Sequence, residues 1–290
     1  MKYIDLHVHS VYSDGSHTPT ELVALASKAG LSAFALTDHD TLDGLAEASL
    51  ACQTYNQSHP DTPLELIPGV EISAAFRQKD IHILGLLIDP TSDTLQTALE
   101  SARREREQRN DRMVENLRQA GLNIDLSAIQ SSNPAAVITR AHFATYLVET
   151  GQARDYNRAF ELYLNDNTPY YVPRKFIEPE DAIQLIRSAG GVPVLAHPLL
   201  YHLNEREIRE LVGRLTDHGL LGIETIYSTY SRADETFVRR LASEFHLCMT
   251  GGSDFHGTPK PTIRIGTGHG NLRIPYELLE QLREQKKELG

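Results

Sequence analysis

Seven short apolar runs separated by helical stretches restrict this chain more than any other feature of its sequence. Residues 3–8, 33–39, 64–72, 80–88, 192–196, 222–226 and 247–250 each read as a strand. Most are apolar on both faces, the pattern of a parallel sheet covered by helices. Thr18-Pro19-Thr20-Glu21 offers a capping threonine, a proline suited to the first turn and a glutamate three residues past the cap. A helix therefore runs from there to Ala29 and stops at Gly30. Further helices are expected over Thr41–Tyr55, begun by Asp40, and over Pro179–Ala189, Asn204–His218, Ser231–Phe245 and Pro275–Leu289. Such alternation predicts an α/β fold, a seven-stranded β/α barrel one unit short of the usual eight.

One connection breaks the rhythm. Roughly 80 residues separate the fourth run from the next convincing barrel element, far more than a crossover needs. They contain a charged helix over Thr94–Ala120, shorter helical pieces near 127–130, 140–149 and 155–164, and an extended stretch at 168–173. The sequence thus predicts a barrel of residues 1–95 and 175–290, with an inserted helical subdomain, 96–174, roofing a site. Arg103-Arg104-Glu105-Arg106-Glu107 reads as a solvated helix face without chemistry.

Polar residues gather at the ends of the apolar runs: His7, His9, Asp14, His39, Glu71, His82, His197, Asp254 and His256. In a strand, alternate side chains share a face, so His7 and His9 stand side by side. Carboxyl-terminal strand ends converge on one mouth of a β/α barrel. His82 fits least well, since it precedes its strand. Six of the thirteen histidines are in this set, and nine nitrogen and oxygen donors without sulfur suit divalent manganese, iron or zinc. Nine exceed the needs of one ion. Two ions, or three sharing a bridging carboxylate, would use them; three would leave the mouth at about +3 against its three carboxylates, which favours a phosphate substrate.

These residues lie in motifs that resemble those of the PHP-domain (polymerase and histidinol phosphatase) metal-dependent phosphoesterases. The motifs are D-L-H-V-H-S-V-Y-S-D-G at 5–15, T-D-H-D at 37–40, P-G-V-E at 68–71, H-I-L-G at 82–85, A-H-P at 196–198 and G-S-D-F-H at 252–256. The resemblance implies a distorted seven-stranded, TIM-like barrel, in agreement with the strand count. It implies that Glu71 bridges two ions, with His7, His9 and Asp254 completing one site, His82 and His197 the second, and Asp14, His39 and His256 a third. Catalysis would rest on Glu71, Asp254 and His197 and proceed by in-line attack of water on phosphorus. Asp40 would either orient a ligand histidine or cap a helix.

The chain looks most like the group that removes the 3′-phosphate of nucleoside 3′,5′-bisphosphates, some members of which trim short RNA from the 5′ end. T-R-A-H-F-A at 139–144, Y-V-P-R-K at 171–175 and the H-P-x-x-Y spacing of His197 and Tyr201 carry that likeness. Arg140, His142, Arg174 and Lys175 are then the candidates to hold the substrate's second phosphate. Leu199 and Leu200 depart from the glycine and arginine that the group often carries there.

Two other enzymes compete with this reading, a histidinol-phosphate phosphatase of the same family and an amidohydrolase cleaving a C–N bond, whose barrels also open with H-x-H. A net charge of −11 argues against gripping long duplex nucleic acid, so the expected partner is a small phosphorylated nucleotide or a short RNA end. No leader or membrane span is evident, and Cys52 and Cys248 read as free thiols; a cytoplasmic protein is expected.

Overall fold

The computed structural model describes residues 2–77, 79–173 and 177–288. Seven strands form one sheet in chain order: β1 (Tyr3–Val8), β2 (Leu31–Leu36), β3 (Glu65–Phe76), β4 (Lys79–Leu86), β5 (Val192–Leu195), β6 (Gly222–Tyr227) and β7 (Cys248–Gly252). The sheet curls until its ends meet. Val8 bridges Phe255, the His9 N–H donates to the Phe255 carbonyl (3.0 Å), and the Asp254 N–H donates to the His7 carbonyl (2.9 Å). A Cβ on Gly252 would fall 2.2 Å from the His7 Cβ, so the closure needs glycine there.

The helices are α1 (Pro19–Lys28), α2 (Leu45–Ser58), α3 (Asp93–Gln119), α4 (Leu126–Ser132), α5 (Arg140–Glu149), α6 (Tyr156–Ala159), α7 (Pro179–Ser188), α8 (Glu205–Asp217), α9 (Arg232–Glu244) and α10 (Glu277–Glu288). The Thr18–Glu21 capping box at α1 forms as its sequence predicts. Barrel strands and their outer helices share one buried cluster, including Leu22, Phe34, Ile72, Ile183 and Leu211. A second cluster, including Ile4, Leu6, Val194 and Leu279, fills the barrel, with α10 among its contributors. The third, from Met113 to Val172, belongs to the helices between β4 and α7. Among the described residues no helix is long and apolar enough to cross a membrane.

Three expectations are corrected. The sheet is not wholly parallel, since β4 runs antiparallel to both β3 and β5. Only two residues separate β3 from β4, and so short a link allows a hairpin but no parallel crossover. Asp40 does not begin a helix. It is buried at φ 53°, and α2 starts at Leu45 because the Asp40 carboxylate is taken up by the Ser73 N–H (2.8 Å) and by Arg106. Finally, α3 is not simply a solvated face. Arg106, Arg109 and Asn110 are buried with Leu95, Leu99, Met113 and Leu117, and Arg106 finds polar partners in Asp40 and Ser73.

Candidate metal centre

Nine scattered residues meet at one rim of the barrel. The two oxygens of Glu71, at the middle of β3, are ringed by imidazoles: Oε2 lies 3.2 Å from His7 Nε2, 3.2 Å from His9 Nε2 and 3.1 Å from His39 Nδ1. Oε1 lies 2.8 Å from His82 Nδ1 and 3.0 Å from His197 Nε2. Asp254 Oδ1 is 3.3 Å from His9 Nε2, 3.3 Å from His256 Nδ1 and 3.6 Å from His7 Nε2. Asp14 faces His256 Nε2 at 3.2 Å and His39 Nε2 at 3.7 Å. The His7 and His9 rings stand 5.1 Å apart, His7 in β1 and His9 one residue past its end.

Many of these atoms lack a hydrogen-bond partner. His7 Nε2, His9 Nε2, Asp14 Oδ1, His39 Nδ1, Glu71 Oε2 and His197 Nδ1 are all buried without one. Leaving that many buried polar atoms unpaired is costly, and a cation between them removes the cost at once. Sets of His9, Asp14, His39 and His256, of His7, His9 and Glu71, and of His39, Glu71 and His82 each hold their donor atoms within 4.8 Å of one another. The nitrogen and oxygen donors therefore fit divalent ions.

The electrostatics agree. Burial alone would raise Asp14, Glu71 and Asp254, yet neighbouring histidines, with Lys260 beside Asp254, hold all three well below the usual carboxylate range. Burial pushes His39 down to about 3, leaving it neutral, the form that binds metal. His9 is raised to about 9 because Asp254 and Glu71 outweigh its burial.

A surrounding layer aims these groups. Glu224, buried in β6, has Oε1 3.1 Å from His7 Nδ1, while its Oε2 accepts the His197 N–H at 2.8 Å. The Tyr227 hydroxyl donates to Asp254 Oδ2 at 2.5 Å. Asp38 accepts from the Ser10 N–H (2.7 Å), the Ser10 hydroxyl (2.6 Å) and the Ser13 hydroxyl (2.6 Å), bracing the loop that carries Asp14. His197 and Asp254 hold positive φ values of 21° and 54°, strained conformations that this bonding sustains. Sequence reasoning passed over Glu224, although a carboxylate inside the apolar run G-I-E-T-I-Y was a signal that something there must pair with it.

The substrate-side candidates fare unevenly. Arg140 lines the mouth, bound to Asp80 Oδ2 (2.7 Å) and to the Leu164 carbonyl (3.2 Å), with its guanidinium 5.3 Å from the Tyr171 ring centroid. His142 is buried as part of a helix cap, its Nδ1 accepting the Thr139 N–H at 3.0 Å. Arg174 and Lys175 lie outside the described residues. Thr139 donates to Asp14 Oδ2 at 3.0 Å, and Arg106 reaches Asp40, so the inserted helices touch the rim directly.

Two adjoining cavities are lined between them by seven of the nine residues, all but His7 and His9. One of about 300 Å³ is lined by Glu71, His82, His197, Lys79, Arg140 and Lys260, among others. A second of about 180 Å³ reaches Asp14, Ser73, Arg106, Tyr156 and Phe160. A larger cleft of about 780 Å³ between α2 and α3 contains none of the nine.

Comparison with known proteins fits this picture. The PHP domain family model matches residues 5–254. The chain is 36% identical to the 3′,5′-nucleoside bisphosphate phosphatase of Chromobacterium violaceum, over 88% of each chain. It is also 36% identical to the 5′-3′ exoribonuclease Rnm of Escherichia coli, over 90% of this chain and 87% of that one. A solved Chromobacterium violaceum amidohydrolase with bound sulfate and no metal superposes with a TM-score of 0.83 at 35% identity, over 91% of this chain and 90% of that one.

Proposed function

Because this chain belongs to the PHP-domain family of metal-dependent phosphoesterases, we propose that it removes the 3′-phosphate from nucleoside 3′,5′-bisphosphates and also trims short RNA from the 5′ end. The observation that carries the reading is the set of five unpartnered buried atoms on His7, His9, Asp14, His39 and Glu71, residues that all fall in the donor sets gathered within 4.8 Å. Glu71 is the bridging ligand in this proposal, with His7, His9 and Asp254 on one side and His82 and His197 on the other. Asp14, His39 and His256 hold a third ion, and manganese is the first candidate, before iron or zinc. When bound, the ions polarise the phosphoryl oxygens and make water more acidic.

The chain's own groups do the rest. Glu224 and Tyr227 keep His7 and Asp254 in place, so little reorganisation is needed during reaction. The segment 96–174 serves as the roof and excludes water from the inner cavity, with Tyr156 and Phe160 along its wall. Arg140 holds the phosphate that is not cleaved, exchanging part of its bond to Asp80 for a bidentate grip. With its two cysteines unpaired, the enzyme is assigned to the cytoplasm.

The test is turnover by the metal-loaded protein on adenosine 3′,5′-bisphosphate, a 5′-phosphorylated oligoribonucleotide, histidinol phosphate and a simple amide. Release of inorganic phosphate and AMP from the bisphosphate is expected. Turnover of the amide alone would overturn the phosphoesterase reading, and a preference for histidinol phosphate would replace the substrate.

A further inference from the structure

Lys260 sits in the turn that follows the Gly-Ser-Asp-Phe-His run, where its N–H donates to the Gly257 carbonyl (3.0 Å) and its carbonyl accepts from Ile263 (3.0 Å). Its Nζ lies 2.5 Å from Asp254 Oδ2. The two oxygens of Asp254 have separate surroundings: Oδ1 faces the rings of His7, His9 and His256, whereas Oδ2 accepts from Tyr227 and Lys260. Those two donors differ in one respect. Tyr227 is 3% exposed and lines neither of the two cavities at the rim, while the Lys260 side chain is 32% exposed and lines both. Orienting Asp254 needs no opening to the cavities, and an ammonium has three N–H donors, of which Asp254 takes one.

We propose that Lys260 is a catalytic residue that binds the phosphoryl group being transferred, spanning Asp254 and a non-bridging phosphoryl oxygen. The proposal rests on phosphoester hydrolysis as the reaction of this site. In that reaction a water oxygen bonds to phosphorus, the bond from phosphorus to the ester oxygen breaks, and a water proton ends on the leaving alcohol. Lys260 keeps all its protons. Its role is to meet the negative charge on the phosphoryl oxygens as the group passes between the two oxygens. Arg140 is placed differently, since its bonds run to Asp80 and Leu164, away from Asp254, which leaves it for the rest of the substrate.

The experiment compares Lys260→Met, Lys260→Arg and Tyr227→Phe in metal-loaded protein. It measures metal content by elemental analysis, inorganic phosphate affinity by calorimetry, and kcat and KM on adenosine 3′,5′-bisphosphate. Lys260→Met should lower kcat/KM by about 10²–10³-fold and phosphate affinity by at least about tenfold, with metal content and thermal midpoint unchanged. Lys260→Arg should recover part of both. Tyr227→Phe should bind metal more weakly and regain phosphate affinity once metal is saturating. Wild-type phosphate affinity in Lys260→Met would overturn the proposal. So would a Lys260→Met defect that disappears at saturating metal, because Lys260 would then only orient Asp254. Should Lys260→Met fail to fold, Lys260→Gln carries the same comparison. A wild-type protein that binds phosphate through Lys260 but leaves the bisphosphate intact would remove the substrate assignment alone; one that binds no phosphate would remove this proposal.

Discussion

Replacing Arg106 by methionine tests whether the inserted helix is anchored to the barrel by charge. The Arg106 side chain is 8% exposed, and its Nη2 donates to Asp40, which is fully buried, and to the Ser73 hydroxyl at 3.0 Å. Methionine fills similar volume but takes the cation away from the buried Asp40 carboxylate, and removing one partner of a buried pair costs about 3–5 kcal/mol. At about 2–4 °C per kcal/mol, that is a fall of about 6–20 °C in the thermal midpoint. Adding Asp40→Asn should reverse most of the loss. An amide removes the buried charge, still accepts from the Ser73 N–H as Asp40 Oδ1 does at 2.8 Å, and tolerates the positive φ at this position. The double variant should then lie within about 1–2 kcal/mol of wild type, a smaller loss than Arg106→Met alone, so the two single losses are far from additive. Urea unfolding of the four proteins of this cycle, all metal-free, measures it. A single-variant loss under about 1 kcal/mol, or additive losses in the double variant, would refute the charge anchor.

Other outcomes follow from the same geometry. Asp14→Ala should lose one ion and most activity with circular dichroism unchanged, and full activity in that variant would contradict three ions. Glu224→Gln keeps an acceptor for the His197 N–H but removes the charge beside His7, so metal affinity should fall about 10–100-fold by equilibrium dialysis. Metal should abolish one pH dependence of stability. With His9 raised to about 9, its contribution to the metal-free protein is complete below about pH 6.5 and is lost as pH rises toward 9, by at most about 1.4 kcal/mol per unit. Metal displaces that proton, and the unfolded imidazole is already neutral above about pH 6.5, so the loaded protein should show no His9-linked change over the same window; thermal midpoints falling equally in both forms would rule out His9 as the proton that metal replaces.

The sequence was most legible where local chemistry decides the outcome. The Thr18 capping box, the strand end that sets His7 beside His9 and the glycine-flanked Asp254 all depend on neighbours within a few residues. Arg106 was illegible for the opposite reason. Its burial comes from Asp40 and Ser73, 66 and 33 residues away, and the surrounding run of charges looks the same on paper whether or not a barrel lies beneath it. Glu224 is an intermediate case, since its apolar strand showed that the carboxylate needed a partner without saying that His7 was the one. Lys260 carried no signal beyond its closeness in sequence to Asp254.

His82 shows how one misread direction can make a residue look misplaced. A parallel β4 would begin at the barrel end opposite the site, since each strand residue advances about 3.3 Å, and His82 near its start would be remote from Glu71. In the hairpin, β4 begins at the mouth. Its register pairs Glu71 with Leu84 and Ser73 with His82, so Glu71 and His82 are diagonal neighbours on one face. That diagonal puts His82 Nδ1 2.8 Å from Glu71 Oε1, while β5, antiparallel to β4, ends at the same rim and delivers His197 to the same oxygen at 3.0 Å. The reversed strand is therefore what allows one carboxylate to face histidines carried by β1 and those reached through β4 and β5, the arrangement that a bridging ligand requires.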